Sequence, residues 1–267
     1  MQKKKNEKQK TKTQRVNKQE KEKRMRKFKI VKFILKVMIL SGMLIGLIAY
    51  AFTSPVFNIT KITVVGNKKY EEEDYIKLSG LSIGNNIFNF RKKKVIDRIK
   101  TDSYVDNVRI RRKLPTVIEI QIEERTASYL IGLENEEFAY INSQGYILEK
   151  TREKLPLTII TGVVTSEEMI VEGNRLNNED LERLQDVIQI KDAIKNSGVN
   201  KEIDRVDVKS KNNYILTFEK EAKEVQIGGV DDNLSSKILY MEYLLKEQDG
   251  VPGTIYLNQE QVYFSPK

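Results

Sequence analysis

From Phe33 to Phe52 the chain presents twenty residues in which Lys36 is the only charge. At about 1.5 Å rise per residue, a helix of that length reaches about 30 Å, the thickness of a bilayer's hydrocarbon core. The sequence therefore predicts one membrane crossing, with every later element packed on one side of it. Lys36 does not veto the crossing, because its alkyl stem lets the ammonium run back to the interface.

The flanks set the expected orientation. Residues 1–36 hold 16 Lys and Arg against Glu7, Glu20 and Glu22, a net +13 that leaves the rest of this net +9 chain at −4. Positive charge beside a spanning helix stays cytoplasmic. This predicts a disordered, basic cytoplasmic tail over 1–32, a transmembrane helix over 33–52, and an extracytoplasmic remainder. Ala49-Tyr50-Ala51 also fits the small-residue pattern of a signal-peptide cleavage site. The head and the apolar run are both longer than a signal peptide's, which favours a retained anchor of the single-pass type II kind. A nucleic-acid-binding tail is a further reading of the basic head. Topology and contact with anionic lipid explain the charge without a second partner.

Composition then narrows the chemistry. There is no His, no Cys and no Trp, so a Ser/His/Asp triad, a thiol nucleophile and imidazole or thiolate metal sites are all excluded. No Ser is followed three residues later by Lys, and no glycine-rich phosphate loop is present. Paired acids occur at Glu71–Asp74, Glu123 and Glu124, Glu167 and Glu168, and Asp231 and Asp232. A hydrolase would need one of them raised in an apolar cleft, whereas acids in runs are ordinarily solvated. The expectation is no catalysis, no cofactor, no metal, no nucleic acid and no small-molecule substrate.

Thr53-Ser54-Pro55 ends the spanning helix. Phe57 and Ile59 alternate, then Ile62 and Val64 after a one-residue shift, predicting a bent or bulged strand before the Gly66-Asn67 turn. An acid-rich first turn and Gly80 bracket a helix over 71–78, and Val95, Ile96 and Ile99 mark another over 91–100. Val108 and Ile110, then Ile118, Ile120 and Ile122, alternate with charged residues around Lys113-Leu114-Pro115. That is a half-buried antiparallel hairpin. Strand patterns follow at 138–141, 146–148, 155–160, 203–208, 214–218, 225–227, 254–257 and 262–264, with amphipathic helices over 177–194 and 233–247.

In combination, FNITKITVVGN from Phe57, GNNIF from Gly84, RRKLPTVIEIQIEERTASYL from Arg111, YINSQGYIL from Tyr140, LPLTIITG from Leu155 and the closing TIYLNQEQVYFSPK make the chain resemble the FtsQ/DivIB family of bacterial cell-division proteins, Gram-positive DivIB in particular. The resemblance implies an α+β fold: a transmembrane helix, a POTRA domain over 57–125 (strand, two helices, hairpin), then a mixed α/β domain over 126–267 with a curved, largely antiparallel sheet and two helices. It also implies a divisome scaffold at the septum that holds FtsL-like and FtsB/DivIC-like bitopic proteins outside the membrane.

Carried over residue by residue, the family's partner-binding terminal strand falls on Gln261, Val262, Tyr263, Phe264 and Ser265. A terminal strand readily lies at a sheet edge, where unpaired main-chain groups template strand addition. The alternative is that Val262 and Phe264 plug the core and the edge stays unused. The resemblance also places a recruitment position at Val64, Val65 and Gly66, where a packing role serves equally well. Many Gram-positive relatives continue past the last strand into a longer tail. A POTRA-bearing transport or assembly component is the runner-up function, and an envelope carbohydrate hydrolase the third.

Overall fold

The computed structural model describes residues 2–198, 201–259 and 261–267. Its elements run α1 (Gln2–Thr53), β1 (Lys61–Val65), α2 (Glu72–Ser79), α3 (Lys92–Ile99), β2 (Val105–Lys113), β3 (Val117–Glu124), β4 (Tyr129–Gly132), β5 (Phe138–Ile141), β6 (Ile147–Thr151), β7 (Ile159–Thr161), α4 (Asn178–Ser197), β8 (Arg205–Ser210), β9 (Asn213–Phe218), β10 (Lys223–Gly228), α5 (Leu234–Glu247), β11 (Gly253–Tyr256) and β12 (Tyr263–Pro266). The strands form a three-stranded sheet in the order β1-β3-β2 and a nine-stranded sheet in the order β12-β11-β10-β9-β8-β7-β4-β5-β6. The class is α+β behind an N-terminal apolar helix, as the sequence implies.

Three differences have physical causes. The helix α1 starts at Gln2, where the sequence suggests a disordered basic tail over 1–32. No Gly or Pro precedes Gly42, and Lys, Gln and Glu are good helix formers. Phe57 and Ile59 are not in a strand: Pro55–Phe57 is a 3₁₀ turn, and Asn58 makes an isolated bridge to Asn86. Strand β4 has no counterpart in the sequence pattern, because Leu130 and Ile131 are both fully buried and no alternation remains to be read.

The described chain divides into two compact units. The first contains the residues up to Ile62 with Ser82–Phe90 and Arg112–Ile118; the second contains Thr63–Leu81, Arg91–Arg111 and Glu119–Lys267. In the first, Met25–Thr53 of α1 is long and apolar enough to cross a membrane. The Asn86 side-chain amide donates to the Ala51 carbonyl at 2.9 Å, tying that loop to the helix's last turn.

In the second unit, the helices α4 and α5 cover one face of the nine-stranded sheet. Leu184, Val187, Ile190, Ile194, Ile238, Met241 and Leu245 pack there against Val206, Leu216, Phe218, Val225, Ile227 and Ile255. Each such side chain contributes roughly 1.5–3 kcal/mol of burial. On the opposite face a smaller cluster of Tyr104, Leu130, Tyr140, Leu148 and Ile159 covers only the β4–β7 region. Asn177 caps α4 by accepting the Asp180 N–H at 2.8 Å. Asp180, buried, in turn accepts the N–H groups of Val164 at 3.0 Å and Thr165 at 2.6 Å and the Thr165 hydroxyl, with the buried Arg183 guanidinium 3.7 Å away.

Candidate partner-binding edge

The nine-stranded sheet ends on β12, whose sole strand neighbour among the described residues is β11. The pairing is antiparallel, Gly253 facing Pro266, Thr254 facing Ser265, Ile255 facing Phe264 and Tyr256 facing Tyr263. Beyond β11 lies β10 in parallel. The helix α5 lies between these two strands in the chain and forms the crossover that joins them, which leaves the final segment free to add on the outside.

Phe264 anchors that segment. Its side chain is half-buried against the main core, over Gly253, where a Cβ would run into the Phe264 ring and the Ser265 carbonyl oxygen. Gly253 is therefore the residue that lets β12 sit close. Tyr263 points to the other face, 47% exposed, and stacks on Tyr256 with ring centroids 4.7 Å apart. Val262 is 39% exposed. Lys267 pairs with Glu224 at 3.5 Å.

Which main-chain groups are free follows from register. Lys267 donates its N–H to the Pro252 carbonyl, whereas Gly253 and Leu257 donate theirs away from β12, to the carbonyls of Ala222 and Gln226. Hydrogen-bonded and non-bonded pairs alternate along an antiparallel ladder. Tyr263 and Ser265 thus turn their N–H and C=O groups to β11, and Phe264 and Pro266 turn theirs outward. Pro266 has no N–H, so the margin offers a donor and acceptor at Phe264 and an acceptor alone at Pro266. The same alternation carried back points Val262 outward.

Of the five residues the sequence singles out, Tyr263, Phe264 and Ser265 lie in β12, while Gln261 and Val262 precede it. Tyr256 completes the aromatic pair and was not legible in advance, since its role depends on which residue lies across the ladder.

Residues 57–125 match the family described as POTRA domain, FtsQ-type. Over 214 residues the chain is 30% identical to a cell division protein DivIB from Clostridium tetani (strain Massachusetts / E88), an alignment spanning 78% of this chain and 77% of that protein. The chain belongs to the FtsQ/DivIB family of cell division proteins. It is 40% identical over 103 residues, 39% of this chain and 41% of the relative, to a DivIB from Clostridium acetobutylicum. To an FtsQ from Syntrophotalea carbinolica it is 26% identical over 139 residues, 50% of this chain and 48% of the relative. With its apolar N-terminal helix, this FtsQ/DivIB protein is a membrane-anchored division protein.

Within the POTRA match, the three positions that the resemblance singles out for recruitment differ in what they present. Val64 is buried and its N–H donates to the Glu72 carboxylate at 2.8 Å; Val65 is 43% exposed. Gly66 has φ +92° and approaches the Ile122 backbone where a Cβ would collide. Only Val65 offers a side chain to a partner.

Several of the paired acids are held by structural contacts. Glu124 accepts the N–H groups of Lys68 and Lys69 and the Tyr75 hydroxyl. Glu123 lies 3.7 Å from Arg109, and Asp231 is 2.8 Å from Lys237. Tyr75 is driven above the usual phenol range by burial and then by Glu124.

Proposed function

We propose that this FtsQ/DivIB protein is a non-catalytic, single-pass scaffold of the divisome at the septum. Its POTRA domain spans 57–125 and a distal domain spans 126–267, both outside the membrane, with the basic head in the cytoplasm. In this reading FtsL-like and FtsB/DivIC-like bitopic proteins add a strand along β12, supporting septum formation. The observation that carries the reading is the open margin of β12, where Phe264 turns a donor and an acceptor away from the sheet. Strand addition uses such groups for affinity and neighbouring side chains for selection. Tyr263 and Val262 supply the exposed anchors.

Deleting Gln261 to Lys267 should abolish capture of these partners while circular dichroism shows the remaining fold intact. Val262→Pro removes one outward N–H and touches no β11 bond. By the net worth of one hydrogen bond it should weaken capture roughly 2- to 10-fold. Undiminished capture by both variants contradicts the assignment.

A further inference from the structure

Three stretches of the first compact unit, residues 54–62, 82–90 and 112–118, hold no Asp or Glu, although the chain carries 38. Their only charges are Lys61, Arg112 and Lys113, all positive. In the same stretches Val56, Ile83 and Leu114 are 57%, 69% and 59% exposed. One exposed aliphatic side chain is ordinary. Three in stretches that hold no acid, in the unit that also contains the membrane helix, form a pattern with a direction.

Backbone hydrogen bonds fix these stretches to the helix exit. Ile59 donates to Asn85 and Gly84 to Ile59, Ile87 donates to Phe57, and Thr60 donates to Thr116, all at 2.8–2.9 Å. The Asn86 amide reaches the Ala51 carbonyl, and the Phe88 ring lies 5.8 Å from that of Phe52 and 5.4 Å from that of Phe57. The 82–90 loop is therefore level with the last turn of the span Met25–Thr53. Those 29 residues reach about 44 Å as a helix, close to the roughly 40–45 Å of a bilayer with its headgroups. A loop level with Ala51 lies at headgroup depth.

The side chains at that level suit an interface. Arg112 donates to the carbonyls of Ile87 at 2.8 Å and Phe90 at 2.9 Å, and its guanidinium lies 4.4 Å from the Phe90 ring centre. Burial lowers its pKa from the ordinary arginine value. Aromatic rings with cations beside them are the typical composition of the membrane–water boundary.

We propose that the 82–90 and 113–116 loops rest in the leaflet from which α1 emerges. Ile83 and Leu114 enter the headgroup–acyl boundary, and the exposed Lys61 faces anionic lipid headgroups. The lipid surface then fixes the height and tilt of this unit, a task one helix crossing performs poorly because a helix tilts and rotates in the bilayer.

The chain has no Cys, so single cysteines can carry an environment-sensitive fluorophore at Ile83→Cys, Leu114→Cys and, as a mid-span reference, Leu44→Cys. Full-length protein is reconstituted into phosphatidylcholine/phosphatidylglycerol vesicles with or without lipid brominated near the headgroup. Interfacial segments sit roughly 5–10 Å into the boundary. Labels at 83 and 114 should therefore shift to the blue and lose emission to the shallow brominated lipid. Emission at 83 and 114 that is insensitive to brominated lipid, while the label at 44 responds to deeper bromination, overturns the proposal. Quenching unchanged in vesicles lacking phosphatidylglycerol contradicts the part assigned to charge.

Discussion

The ring of Tyr263 lies over that of Tyr256 across the last two strands, 17° from parallel. A cross-strand aromatic pair of this kind stabilises by about 0.5–1 kcal/mol beyond its buried area. Tyr263→Ala should therefore lower stability by at least about that amount and Tyr263→Phe should not, as read from urea midpoints. Both should keep the fold, since Tyr263 is half-exposed.

Gly253→Val tests the seating of β12. The added branches meet the Phe264 ring and the Ser265 carbonyl, an overpacking that costs about 1–3 kcal/mol. The account expects displaced β12 and a loss of partner capture larger than the stability loss explains. Equal capture by wild type and variant would show that the position of β12 is irrelevant to binding.

Lys69 is 2.9 Å from Glu149, whose carboxylate also accepts the Tyr104 hydroxyl at 2.7 Å. The Lys69 bond, then the Tyr104 bond, hold Glu149 below the usual carboxylate range, and Glu149 raises Lys69 above the ordinary lysine value. A lowered carboxylate stabilises the fold above its ordinary pKa, and that contribution disappears as pH falls through the folded value. The raised lysine contributes fully below its ordinary pKa and is lost as pH rises through its folded value. Glu149→Gln should flatten the acid side of a stability–pH curve. Because both partners are about a third exposed, its cost at neutral pH should stay below about 1 kcal/mol.

Asp180→Ala should be the most damaging of these changes. It leaves the N–H groups of Val164 and Thr165 without their acceptor and removes one of the two carboxylates beside the buried Arg183, which keeps Glu179 and the Gly162 carbonyl. Each buried donor left without an acceptor costs about 1–3 kcal/mol. The check is a denaturant titration of the full chain in detergent.

Elements with one wet face were readable in advance. Helices α2 and α3 and the β2–β3 hairpin declare themselves through Val95 and Ile99, then Val108 and Ile110 against Ile118, Ile120 and Ile122, because each alternates with solvent-facing polar residues. Strand β4 did not, since Leu130 packs on one cluster and Ile131 on the other. Similarly, β7 is Ile159–Thr161, overlapping only the last two residues of an expected 155–160. The terminal strand was legible as a strand, but its bounds shift from 262–264 to Tyr263–Pro266. The Val56, Ile83 and Leu114 surface was invisible in sequence, as its members are scattered and only backbone hydrogen bonds gather the segments that carry them.

Amide hydrogen exchange across β12 tests the central claim most directly. In the free protein the N–H groups of Tyr263 and Ser265 should be protected by β11 and that of Phe264 should exchange freely. On binding an FtsL- or DivIC-type partner, Phe264 should become protected with little change at its two neighbours. A Phe264 N–H that exchanges as fast with the partner bound as without it would contradict strand addition at this edge.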